Sequence, residues 1–240
     1  MPLKNLAYHV GHPLLGLLRS NHFVIRRLFG VRIPREVAVQ FDPTTVALAR
    51  ELLREITEED TTALEMGIGT AALISLSLMK RTRLRIDGVD CSPSRVATAQ
   101  AVAEYNGLPA RFWQSDLFSS VPDDARYDLT FFNPPYVPTQ WGRDLKLTAR
   151  LHVDGDQMWD GGEDGTSVLR SFLRQAPRFL SPRGRIVFGV QNLFVSDELI
   201  SRAITESGCR LLHRHRRRLV PACVYVVAPQ EVKETAAVHA

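Results

Sequence analysis

The chain has 240 residues, of which 45% are apolar and 23% charged, with a mild net charge of +4. That is an ordinary globular composition, long enough to bury a core. No apolar run approaches the roughly 18 residues a membrane span needs, and the amino terminus, broken by His, Gly and Pro, lacks a cleavage site, so a cytoplasmic protein is expected. Cys91, Cys209 and Cys223 make no CxxC pair and share no ligand spacing with the seven histidines. Neither disulfides nor a metal site is expected.

In chain order, residues 1–38 predict a helical extension: LLGLLRSNHFVIRRLF has helical spacing. From Pro43, PTTVALARELLREI is a better amphipathic helix. Both are expected to cover one end of a sheet. From Thr61 to Pro229, short apolar runs alternate with helical patterns, the signature of a mainly parallel sheet covered by helices. TALEM is the first strand, and Gly67-Ile68-Gly69 opens a helix through Ala71 to Lys80. RLRIDGVD is the second strand, and Ser92-Pro93 supply an N-cap and first-turn proline for a helix that stops at Gly107. ARFWQSD and YDLTFF are the third and fourth strands. Residues 166–180 read as a helix that Pro177 should kink, Ser181-Pro182-Arg183-Gly184 as a turn, and RIVFGV as the fifth strand. A helix from Ser196 to Ser207 leads to two strands, RLLHRH and ACVYVV, joined near Pro221 and so antiparallel. The domain is expected over 39–230, with 231–240 a flexible tail. Leu3–Arg35 and Thr139–Trp159 carry no specific pattern.

Ligands of an open parallel sheet gather beyond the carboxyl ends of its strands. Here those ends carry a glycine turn, Asp90, Asp116 and Asn133. Gly67 and Gly69 allow close backbone approach, and Gly67-x-Gly69-x-x-Ala72 with Asp90 in register also satisfies a dinucleotide pattern, so a nicotinamide oxidoreductase is one reading. Two acids favour S-adenosylmethionine instead. Glu65 would repel a pyrophosphate but can receive an ammonium, and Asp116 can accept from an adenine amino group beside Leu117 and Phe118. At the fourth strand end, the Asn133 side-chain oxygen and the Pro134 carbonyl can accept the two N–H bonds of a planar amino group. Pro135 stiffens the turn, and the Tyr136 ring can lie against the substrate plane. The chemistry that follows is in-line methyl transfer to nitrogen.

With LEMGIGTAAL, GVDCSPSRVATAQ, SDLF, FFNPPYVP and WDGGEDGTSVLRSFL in place, the chain resembles class I S-adenosylmethionine-dependent methyltransferases. Among them it is most similar to the protein-glutamine N5-methyltransferase (HemK/PrmC-like) branch, over roughly Val39 to Val190. The resemblance implies a Rossmann-like α/β fold: a seven-stranded, mainly parallel sheet with an antiparallel terminal hairpin and helices on both faces. It implies that Phe41, Pro43 and Thr45 of FDPTT close over the methionine end of the cofactor. Glu65, Gly67, Gly69 and Asp90 would contact methionine and ribose, with Thr70, Cys91 and Ser92 counted beside them, and Asp116 and Leu117 would hold adenine. Asn133, Pro134, Pro135 and Tyr136 would form the catalytic turn. Ala71 stands where the family usually has a third glycine. The amino-terminal region is shorter than the helical substrate domain of the bacterial release-factor enzymes, and an arginine-rich strand replaces the usual carboxyl-terminal pattern.

The expected partner is a protein or other macromolecule carrying a planar NH2 group, most simply a glutamine side chain. A nucleobase acceptor, with His213–Arg218 (HRHRRR) touching phosphate, stays open, as does a small-molecule or peptide natural product. A non-catalytic cofactor-binding module is the remaining alternative.

Overall fold

Strand burial decides the layering. In the computed structural model, which describes residues 18–151, 155–216 and 221–230, β1 (Thr62–Met66) is buried on both faces after its first residue, as a central strand must be. It lies between β2 (Arg85–Asp90) and β4 (Tyr127–Phe132), parallel to both. Outside these come β3 (Arg111–Gln114) on one side and β5 (Leu180–Gln191) on the other, also parallel to their neighbours. β7 (Ala222–Pro229) inserts antiparallel between β5 and β6 (Cys209–Arg216), giving the order β3-β2-β1-β4-β5-β7-β6. The expected seven-stranded sheet with a terminal hairpin is therefore present.

Helices cover both faces. α1 (His22–Phe29), α2 (Pro43–Glu55), α3 (Leu73–Met79) and α4 (Pro93–Tyr105) bury Ile25, Phe29, Leu48, Leu52, Leu76 and Val102 in one core. On the other face, α7 (Ser167–Gln175) and α8 (Asp197–Glu206) bury Phe172, Leu173, Ile200 and Ile204 against Tyr127 and Tyr225. Local chemistry sets the helix ends. Asn21 caps α1, accepting from the amides of Phe23 and Val24, and the helix ends at left-handed Gly30. Asp42 and Thr45 form a reciprocal capping box with Pro43 in the first turn of α2, and Ser92 caps α4 ahead of Pro93.

Several expectations shift. The first expected helix divides at the Asn21 cap, and its residues 14–17 lie outside the described residues, as do Arg217, Arg218 and the tail 231–240. β3 stops at Gln114, two residues before Asp116, because Ser115 turns to its own loop: its hydroxyl donates to the Leu117 carbonyl (2.7 Å) and accepts from the Ser120 amide (2.9 Å). Pro177 does split the helix: α7 ends at Gln175 and a 3-10 turn spans Ala176–Phe179. The expected turn at 181–184 is an excursion within β5, since Leu180 pairs Tyr127 and Arg185 pairs Leu129. Residues 139–151, which carried no pattern, form two short helices, α5 (Thr139–Asp144) and α6 (Leu147–Leu151). Among the described residues no helix is long and apolar enough to cross a membrane.

Candidate active site

Strand order reverses between β1 and β4, and beyond their carboxyl ends lies one large crevice. Every site residue expected from the sequence lines it except Ser92 and Phe118, the latter buried in the core with its ring stacked on Phe172 and Phe179 instead of facing the adenine position. The Ser92 amide donates to Asp90 (3.0 Å) and its hydroxyl caps α4, so it serves the strand-to-helix turn.

The glycine turn is built for close approach. Gly67 has φ +66, and a Cβ there would lie 2.7 Å from a Phe132 ring atom, so backbone alone fits. Gly69, φ +62, donates its amide to Asp90 Oδ2 at 3.0 Å. The carboxylate of Asp90, with Arg95 3.5 Å from its other oxygen, thus holds the turn in place as well as lining the crevice. Ala71, at the third-glycine position, is buried at the entrance to α3.

Glu65 is buried at the end of β1, where Oε2 accepts from the Ser75 amide at 3.0 Å and from the Ser75 hydroxyl. Burial pushes its carboxyl up to about 8, against the pull of those Ser75 bonds, and the Asp90 charge adds to the rise. It has no ion-pair partner among the described residues, so burial holds its proton on until a bound cation offsets that penalty and favours the carboxylate. Asp116 is exposed at the crevice rim beside Leu117, whose φ of 46 turns the chain back.

At the end of β4, the Asn133 amide nitrogen donates to Asp42 Oδ1 (3.4 Å) and Thr45 Oγ1 (3.3 Å). A carboxylate can only accept, so the group facing Asp42 must be the NH2. The opposite atom, Oδ1, is buried without a hydrogen-bond partner among the described residues. Such an orphan acceptor costs on the order of 1–3 kcal/mol unless a ligand donor meets it. The Tyr136 hydroxyl donates to Asp42 Oδ2 (2.5 Å), receives Gln191 Nε2 (2.8 Å) and lies 3.1 Å from Thr44 Oγ1. Burial and the Asp42 charge hold this phenol well above its usual value, so it stays protonated and serves as a strut.

Asp42, Thr44 and Gln191 are the residues that sequence reasoning missed. Asp-Pro-Thr-Thr is legible as a helix cap, but nothing along the chain says that the cap will meet a residue 91 positions away. Asp42→Ala is expected to destabilise the fold by about 2–3 kcal/mol, combining a lost N-cap with an orphaned amide. Thr45→Ala should cost about 1 kcal/mol. Equal denaturation midpoints for the two variants would discount the link to Asn133.

The DGGEDG segment backs this turn. Val137 donates its amide to the Trp159 carbonyl (2.9 Å), Gly161 to Val137 (2.9 Å) and Thr139 to Gly162 (3.0 Å). Asp160 Oδ1 accepts from the Thr139 hydroxyl (2.6 Å) and the Gly162 amide (2.8 Å). Left-handed Gly165 packs against the Tyr136 carbonyl so closely that a Cβ would lie 2.6 Å from its oxygen.

A family profile described as methyltransferase small domain matches residues 37–158. A putative protein N5-glutamine methyltransferase of Methanocaldococcus jannaschii is 34% identical over 139 residues, covering 58% of this chain and 66% of the relative. A release factor glutamine methyltransferase of Geobacter sulfurreducens is 31% identical over 121 residues, covering 50% and 42%. This chain thus spans less than two thirds of either relative's length. The crystal structure of a ribosomal protein L11 methylase from Lactobacillus delbrueckii superposes with a TM-score of 0.61 at 16% identity, covering 83% of this chain and 85% of that one, which establishes the likeness of fold. The matches overturn the oxidoreductase reading of the glycine turn.

Proposed function

The chain belongs to the methyltransferase small domain family, and on that footing we propose that it is an S-adenosylmethionine-dependent N-methyltransferase whose acceptor is the planar amide of a protein glutamine side chain. The observation that carries this reading is the buried, unpartnered Oδ1 of Asn133, beside the Pro134 carbonyl in the Asn133–Tyr136 turn. An amide NH2 offers two donors in one plane, and this turn offers two acceptors.

When bound, S-adenosylmethionine supplies an electrophilic sulfonium methyl group. The residues present fit it: Glu65 provides a buried acid for an ammonium, the Gly67–Gly69 backbone permits close approach, and Asp90 and Asp116 offer acceptors along the same crevice. Asn133 Oδ1 and the Pro134 carbonyl hold the acceptor nitrogen and stabilise the positive charge that grows on it. Asp42 and Thr45 keep the Asn133 amide from turning over. Pro134 and Pro135 add no N–H donor to compete for these acceptors, and the protonated Tyr136, tied to Asp42 and Gln191, keeps the turn from widening.

The names of the two relatives above support glutamine as the acceptor. The nucleobase alternative leaned on HRHRRR, but His213, Arg214 and His215 face Glu55, Asp197 and Glu51 at 2.7, 2.9 and 2.9 Å. Among the run's four arginines that pairing engages Arg214. The free thiols of Cys91, Cys209 and Cys223 fit a reducing cytoplasm.

Incubation with labelled S-adenosylmethionine and a cell extract should put label into protein, located by peptide mass spectrometry on a glutamine side chain. Label confined to nucleic acid or small molecules would sink this reading.

A further inference from the structure

Away from the crevice, the far end of α2 hangs over the sheet edge formed by β6. A β-bulge decides what β6 presents to it. Leu211 pairs Val227, yet His213 pairs Val226, so Leu212 is an extra residue and the parity of the strand flips. His213 and His215 consequently share a face with Val226 and Val224, which pack in the core that α2 covers. From α2, Glu51 and Glu55 are one turn apart and project toward the same place.

We propose that Glu51, Glu55, His213 and His215 form a binding site for a divalent transition metal of the zinc class. One ligand atom from each lies within 4.8 Å of all the others. A tetrahedral zinc ion with bonds near 2.0–2.1 Å spaces its ligand atoms about 3.3 Å apart, which small rotations of the two half-exposed imidazoles can reach. Each carboxylate is divided in the same way. Glu51 turns Oε2 to Arg54 (3.1 Å) and Oε1 to His215, while Glu55 turns Oε2 to Arg185 (3.8 Å) and Oε1 to His213 (2.7 Å). The guanidiniums hold the outer oxygens, as outer partners of a metal ligand do, and leave the inner oxygens and both Nε2 atoms converging.

Glu51 supplies the independent sign of a ligand. Its side chain is only 4% exposed, and among the described residues Oε1 is buried without a hydrogen bond although His215 Nε2 is 2.9 Å away, outside bonding geometry. A buried carboxylate oxygen with no donor is costly. A cation among two imidazoles and two carboxylates satisfies it, and imidazole ligands favour zinc over magnesium or calcium. Bound metal would bolt α2, whose first turn orients Asn133, to the edge strand.

The full chain, stripped with chelator and titrated with Zn2+ alone, should bind one ion lost on His213→Gln/His215→Gln. Zn2+ should raise Tm in the parent and not in the double variant, while Mg2+ at the same concentration leaves both unchanged. Co2+ should give the visible bands of a tetrahedral site in the parent alone. The variant should melt near the metal-free parent, since both imidazoles are half-exposed. No Zn2+ bound, or Zn2+ bound equally by parent and variant, would overturn the site and leave two histidine–glutamate ion pairs.

Discussion

Asn133→Ala is expected to lower the rate of methyl transfer by about 100- to 1,000-fold, the range seen when one preorganised charge-stabilising group is removed from an active site. Oδ1 is buried and has no hydrogen-bond partner among the described residues, which leaves it for a ligand donor. The variant should fold: the parent side chain carries an orphan acceptor, and Asp42 keeps its bonds to Thr45 and Tyr136. A stability change within about 1 kcal/mol is expected. Single-turnover transfer at saturating S-adenosylmethionine, read beside the thermal melt, separates chemistry from folding. A variant that binds the cofactor normally and transfers methyl at the parental rate would mean that the turn does not hold the acceptor.

Gly165→Ala should damage both the fold and the site. The backbone there has φ +79, which costs an L-residue roughly 1–2 kcal/mol. The new Cβ would also lie 2.6 Å from the Tyr136 carbonyl oxygen and 2.9 Å from Val195 Cγ2. Overpacking of this kind adds about 1–3 kcal/mol. The carbonyl belongs to the Asn133–Tyr136 turn, so relief of the clash shifts the proposed acceptor site, and activity should fall along with stability. Gly208→Ala is the matched control: φ is +70, but nothing among the described residues lies within 4 Å of its Cβ. A denaturant midpoint for Gly165→Ala no lower than that of Gly208→Ala would show that DGGEDG does not buttress the turn.

Both predictions rest on contacts between segments far apart in the chain, and legibility in the sequence divided along that line. The strands read as TALEM and YDLTFF are β1 and β4 to the residue, because short apolar runs bounded by Gly, Asn and Pro have few other solutions. The Ser92 and Pro177 signals were also local, and each acted where it stood. By contrast, 139–151 has no period for its two short helices to show. The excursion at 181–184 read as a turn because its continuation as a strand depends on pairing with Tyr127 and Leu129.

The sequence by itself determined the alternation of strands and helices, the residue types at each strand end, and the Asn-Pro-Pro-Tyr turn after β4, since these follow from residue type and spacing over a few positions. Only the tertiary structure decided that Asp42 orients Asn133, that Tyr136 is a strut, and that a bulge at Leu212 turns two histidines of a basic run onto two glutamates. The physical reason is common to all three. Hydrogen-bond partners and strand parity are fixed by which surfaces the packed sheet brings together, and that information is not carried by any local stretch of chain.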